Sequence, residues 1–149
     1  FSTFGAETMA KKILTALKQS SASLKDYIND TKLTAVSYMT RADFTYMVVD
    51  ALGCEINNGN SFADVSKGKY YQGAIATAKN LGLVTAVEGN NFHPEEPVTA
   101  DFLKSVIDKA LKYKKSNADF KDIYALAKGK VSNEIGIYAI DKLNEEINK

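Results

Sequence analysis

The sequence predicts an all-α fold made of repeated helix–loop–helix units packed into one compact helical bundle. Three observations predict it. Apolar residues recur at helical spacing through most of the chain; strand signals are sparse, and loops rich in glycine, asparagine and proline separate the apolar stripes; and one stretch repeats. Moving residues 40–52 forward by 59 lays Thr40 on Thr99, Phe44 on Leu103, Met47 on Val106, Val48 on Ile107, Ala51 on Ala110 and Leu52 on Leu111. Those positions form one helix face. A register of 58 matches Ala42-Asp43-Phe44 to Ala100-Asp101-Phe102 but breaks that face, so burial favours 59.

The elements follow in order. Helices are expected at about 6–19 and 22–29, the first carrying Met9, Ile13, Leu14 and Leu17 on one face and closing the bundle. The next, at 40–53, starts at Thr40, with Asp43 at the spacing of a capping box: the threonine hydroxyl accepts from the third helical N–H and the acid reaches back. Gly53 ends it, and 53–61 is a loop of asparagine and glycine. The motif "FADV" at 62–65 leads to a helix at 70–82; "EGNNFHPEEP" at 88–97 is a second turn-rich loop; Thr99 caps a helix at 98–114, although Phe102 cannot complete a box. After a linker at 113–119, "FKDI" at 120–123 echoes "FADV", and the helix at 132–147 is read as the counterpart of the one at 70–82. The chain is thus expected to be one compact domain, 1–149, with sub-units at 1–54, 62–113 and 120–149.

Composition narrows the function. The chain has 149 residues, 45% of them hydrophobic, enough to bury a core. Lysine and arginine number 19 against 18 acids, so no basic field attracts a nucleic acid backbone. No apolar run is long enough for membrane insertion. One cysteine, Cys54, excludes an internal disulfide, and with a single His93 no metal site or cofactor is expected. The start at Phe1 reads as a processed or excised part of a larger protein. Glu95 and Glu96 are neighbours in sequence, which does not aim them at one bond as a glycosidase pair must be. With no phosphate loop or nucleophile elbow, the chain is not expected to be an enzyme.

"FADV", "AIATAKNLGLV", "GNNFHPEEPVT" and the helix that follows resemble an S-layer homology module, whose pattern runs Phe-x-Asp, an alanine-isoleucine helix, a Phe-x-Pro loop, then Thr-Arg-Ala-Glu opening a second helix. The likeness spans 62–113. "YMTRADFTYMVVDALG" looks like the end of a preceding, degenerate module with extra N-terminal helices, and "FKDI" with its helix like the start of a partial third. The resemblance implies modules gathered around a pseudo-threefold axis, with grooves that hold secondary cell-wall polysaccharide, often pyruvylated. It implies an extracellular place at the bacterial cell surface or S-layer and non-covalent anchoring of a surface protein to the wall.

In the family the arginine of Thr-Arg-Ala-Glu binds ligand, a role that falls here on Arg41. A guanidinium fork suits a carboxylate, and free N–H groups at the helix start are expected to help. Phe62 and Phe120 read as buried aromatics whose aspartates, Asp64 and Asp122, accept backbone N–H bonds in the following turn, with glycan contact as the alternative. Of Tyr70 and Tyr71, one is expected in the core and the other in a sugar-binding groove, a place assigned to Tyr71. His93 reads as an exposed or hydrogen-bonded loop residue. The pattern also departs from the family's: Ala100 replaces the arginine in the middle module. A scaffold that has lost glycan binding and serves as a structural or protein-interaction domain of a surface protein is therefore the alternative function.

Overall fold

The structure, a computed structural model, describes residues 38–59 and 61–149; the helices expected at 6–19 and 22–29 lie outside them. The described residues form five helices, α1 (Arg41–Leu52), α2 (Gln72–Asn80), α3 (Ala100–Tyr113), α4 (Lys121–Leu126) and α5 (Asn133–Ile147), and no strand longer than an isolated bridge.

Helix α1 starts where Thr40, in extended backbone, accepts from the N–H of Asp43 at 3.1 Å, and it ends at Gly53 with a left-handed φ of 66°. It buries Ala42, Phe44, Thr45, Met47, Val48, Val49 and Leu52, more than one face, because α2, α5 and α3 all pack on it. Helix α3 buries a single stripe, Leu103, Val106, Ile107, Ala110 and Leu111, and exposes the rest. Helix α2 is shorter than expected: its start has no side-chain cap, and beyond Leu81 the chain turns at Gly82, φ 77°. Its buried Thr77 accepts from the N–H of Asn57 at 2.8 Å and donates to the carbonyl of Gly73, which ties the 54–59 loop to the helix.

Three backbone hydrogen bonds close a cycle at the centre. Met39 N–H donates to the carbonyl of Val131 at 3.1 Å, Val131 N–H to that of Val98 at 2.8 Å, and Val98 N–H to that of Met39 at 2.8 Å. All three residues are buried, and each precedes a capping residue, Thr40, Thr99 or Ser132, whose hydroxyl accepts from an N–H of the helix that follows. Helices α1, α3 and α5 therefore start from one knot of backbone. Thr40 and Thr99 hold like positions in it, as in the 59-residue register.

The cycle corrects the reading of the last helix. Being capped by Ser132 next to Val131, α5 is the counterpart of α1 and α3, not of α2. In that register Asn133 stands where Arg41 and Ala100 stand, and Gly136 where Phe44 and Leu103 stand. The missing side chain is replaced from a distance: a Cβ on Gly136 would lie 2.7 Å from the sulfur of Met39, whose side chain fills the space. "FKDI" itself opens α4, a six-residue helix that the sequence pattern does not announce and that starts just after Phe120.

Candidate functional site

Arg41 sits in the first turn of α1, half-buried against the loop at 88–96 and the start of α3. Its Nε donates to the carbonyl of Phe92 at 3.0 Å. The guanidinium carbon lies 3.9 Å from the ring centre of Phe102 and 4.6 Å from that of Phe92, so the planar cation is held on two aromatic rings. Those rings are themselves fixed, since Phe92 is fully buried and stacks on Phe62 with centres 5.0 Å apart. Burial lowers the pKa of Arg41, and the nearby carboxylates of Glu96 and Asp64 oppose that; the group stays charged at any physiological pH.

Asp64 fixes the same loop from the other side. Its two carboxylate oxygens accept from the N–H groups of Phe92 and His93, each at 2.8 Å. Burial raises its pKa, but the backbone donors outweigh burial together and hold the carboxyl below its ordinary value. The expected partner was the following turn; the actual partner is a loop 28 residues away. His93 has a left-handed φ of 58°, and its ring lies between Glu88, 2.9 Å from Nε2, and Glu96, 2.6 Å from Nδ1. Arg41 and Asp64 thus grip opposite faces of one peptide segment, the carbonyl and the N–H of Phe92.

The helix start offers less than expected. The N–H groups of Arg41 and Ala42 donate to the carbonyls of Glu96 and Pro94, at 2.8 and 2.9 Å, and that of Asp43 goes to Thr40. The first-turn N–H groups that would greet an anion are spent on the loop, so any anion contact rests on the arginine side chain. Only Nε is committed among the described contacts of that side chain. Arg41 borders a groove of about 290 Å³ lined by the 83–87 segment and α3, with Thr99, Asp101 and Lys109 among its polar lining. A guanidinium with its plane fixed and its terminal N–H groups beside a groove can take a carboxylate through two parallel hydrogen bonds.

The other expected site residues are placed differently. Tyr71 is core, 4% exposed, and its hydroxyl donates to Glu95 at 2.5 Å. Its neighbour Tyr70, 53% exposed, is the groove residue of the pair. Asp43, expected to close a capping box, instead accepts from the hydroxyl of Tyr70. Asp122 is exposed on α4 and makes no hydrogen bond or ion pair among the described residues. Phe102 and Glu96 were not anticipated beside Arg41; Phe102 follows Asp101, and only the 59-residue register, which lays it on Asp43, hints at an exposed position. Glu95 and Glu96 answer to different partners, Tyr71 and His93. Among the described residues no group of histidine, cysteine or acidic side chains could hold a metal ion, and no helix is long and apolar enough to cross a membrane.

Residues 61–99 match the family model of the S-layer homology domain. S-layer homology domains are cell-surface modules that bind the cell wall. No curated protein matches the chain.

Proposed function

We propose that this chain is a non-catalytic, extracellular anchor that attaches a bacterial surface protein to the wall by binding secondary cell-wall polysaccharide. Arg41 takes a carboxylate of that glycan, such as a pyruvyl ketal, in the groove along α3, and Asp64 acts by holding the loop on which the arginine rests. The observation that carries this reading is the fixing of the Arg41 plane by Phe92 and Phe102 beside an open groove. Preorganising a cation in this way lowers the entropy lost when a carboxylate binds. A pseudo-threefold gathering of three modules belongs to the same proposal, and the closed cycle of Met39, Val98 and Val131 supports it.

The test is co-sedimentation of the chain with isolated wall polysaccharide, native against Arg41→Gln. Loss of a charge-assisted pair costs about 1.5–3 kcal/mol, so affinity should fall roughly 10- to 100-fold. The second reading, a scaffold that has given up glycan and joins protein domains at the surface, is favoured by one observation: Ala100 and Asn133 occupy the positions equivalent to Arg41. It replaces the first if the folded native chain does not sediment with the polysaccharide.

A further inference from the structure

His93 is the only histidine of the chain, and it follows the residue whose carbonyl holds Arg41. Both of its ring nitrogens face carboxylates, Nε2 that of Glu88 at 2.9 Å and Nδ1 that of Glu96 at 2.6 Å. An ionised carboxylate only accepts, so the ring satisfies both at once only as imidazolium, with a proton on each nitrogen. Glu96 also belongs to the surroundings of Arg41. Its carbonyl accepts the Arg41 N–H at 2.8 Å, and its carboxylate acts on the guanidinium more strongly than that of Asp64 does. The Glu96 side chain is 64% exposed, and among the described contacts its carboxylate is held by His93 alone. Asp64 is committed to the N–H groups of Phe92 and His93, and Glu95 to Tyr71. Of the carboxylates near Arg41, Glu96 is the one able to change partner.

We infer that His93 is a positioning residue for the Arg41 site: its imidazolium form holds the Glu96 carboxylate off the guanidinium, and its neutral form releases Glu96 to pair with Arg41 and compete with the incoming carboxylate. The inference rests on the polysaccharide reading above and adds its regulation by pH. A neutral imidazole keeps one N–H and turns a lone pair towards the other carboxylate, so one of the two contacts breaks. The charges around the ring decide which. Glu88 and Glu96 face it from its own loop, Asp64 lies against its backbone N–H from the 62–65 turn, and Arg41 of α1 stands beyond Glu96. Glu88 has no second partner among the described contacts, whereas Glu96 has a permanent cation beside it. The remaining proton therefore stays on Nε2 with Glu88. Glu96 leaves the lone pair on Nδ1 for the terminal N–H groups of Arg41, the same donors that a glycan carboxylate needs. Histidine changes charge within the physiological pH range, so attachment to the wall is stronger on the acid side of the His93 transition than on the alkaline side.

The experiment follows the imidazole C–H signals of the full chain by NMR and, across the same pH series, its affinity for isolated wall polysaccharide by co-sedimentation. Native affinity should fall roughly three- to fivefold, the worth of an exposed ion pair, at the pH where those signals titrate. Glu96→Gln removes the competitor and should bind at the acid-side level throughout. His93→Asn never carries a charge and accepts the left-handed backbone of this position; it should bind at the alkaline-side level throughout. The inference is overturned if native affinity is flat across the His93 titration. It is equally overturned if Glu96→Gln keeps the native fall, since the imidazolium charge itself would then be what attracts the glycan. In the chain without polysaccharide, the Arg41 guanidinium signals should titrate with the His93 ring, and much less so in Glu96→Gln; Arg41 signals that ignore the ring also overturn the inference. If the native chain sediments with no polysaccharide at any pH while the Arg41 and His93 signals still move together, the polysaccharide reading has failed and the exchange of Glu96 between His93 and Arg41 stands.

Discussion

Arg41 donates through Nε to the carbonyl of Phe92, 3.0 Å away, and lays its guanidinium over the ring of the same residue, 4.6 Å from its centre. One residue thus receives both the hydrogen bond and the cation–π contact, and its N–H is meanwhile taken by Asp64. The loop that carries Phe92 cannot move without releasing the arginine. Binding geometry and loop order are therefore one property of the site.

Replacing Arg41 should accordingly affect both. Arg41→Lys keeps a charge but loses the planar fork, and the site should lose most of its glycan affinity while the fold persists. The lost bond and stacking are together worth about 1–3 kcal/mol of stability. Calorimetry alongside sedimentation checks this; a lysine variant that binds glycan as the native chain does removes bidentate recognition from the account.

Asp64 links stability to acid. Its folded carboxyl lies below the ordinary value, so its contribution is fully present above the unfolded pKa, 3.8, and is lost as pH falls through the folded value. Native protein should therefore lose melting temperature more steeply than Asp64→Asn below about pH 4. At pH 7 the asparagine variant should be less stable by about 1–3 kcal/mol, because its amide group faces a backbone donor where the carboxylate accepted one. Parallel acid limbs for the two proteins would show that the carboxylate is not what latches the loop.

Sequence patterns made α1 and α3 legible because their apolar faces lie within each helix, and the threonines at 40 and 99 mark both starts. The role of α5 was hidden because Gly136 occupies the position of Phe44 and Leu103, and the atoms that fill its place belong to Met39, almost a hundred residues earlier in the chain. Local chemistry misdirected in the same way at Asp64, whose type suits a turn of its own but whose donors are on a distant loop. Arg41 could be singled out from its motif, whereas the rings that orient it, and the spending of the first-turn N–H groups on Pro94 and Glu96, depend on tertiary contacts. For Tyr70 and Tyr71, adjacency at a helix start left the buried one undecided; the fold decides it, by burying Tyr71 with its hydroxyl on Glu95 and leaving Tyr70 more than half exposed.

The cycle of Met39, Val98 and Val131 joins three segments far apart in sequence, so no local fluctuation can open it without parting the helices it starts. Native-state hydrogen exchange should find these three amides among the slowest, all exchanging with the free energy of global unfolding. Amides at the exposed end of α3, near Lys112, should exchange faster by local fraying. If any one of the three exchanges with a markedly smaller free energy than the other two, the helices do not open as a unit.

Two tyrosines should resist alkali. Burial, then the hydrogen bond to Glu95, pushes the pKa of Tyr71 well above its ordinary value, and burial, then the bond to Asp108 at 2.6 Å, does the same for Tyr124. Each phenol is neutral in the fold because ionising it would put a second negative charge against a carboxylate. Being raised in the folded state, these groups contribute stability that is fully present below the unfolded tyrosine value of about 10 and is lost as pH climbs towards the folded values. Absorbance titration should show a late tyrosine fraction that appears only as the protein unfolds. Tyr71→Phe and Tyr124→Phe should each remove part of that fraction, and each should flatten the alkaline loss of melting temperature. A single titration near pH 10, with the circular dichroism of the folded chain intact, would show that neither hydroxyl is held by its carboxylate.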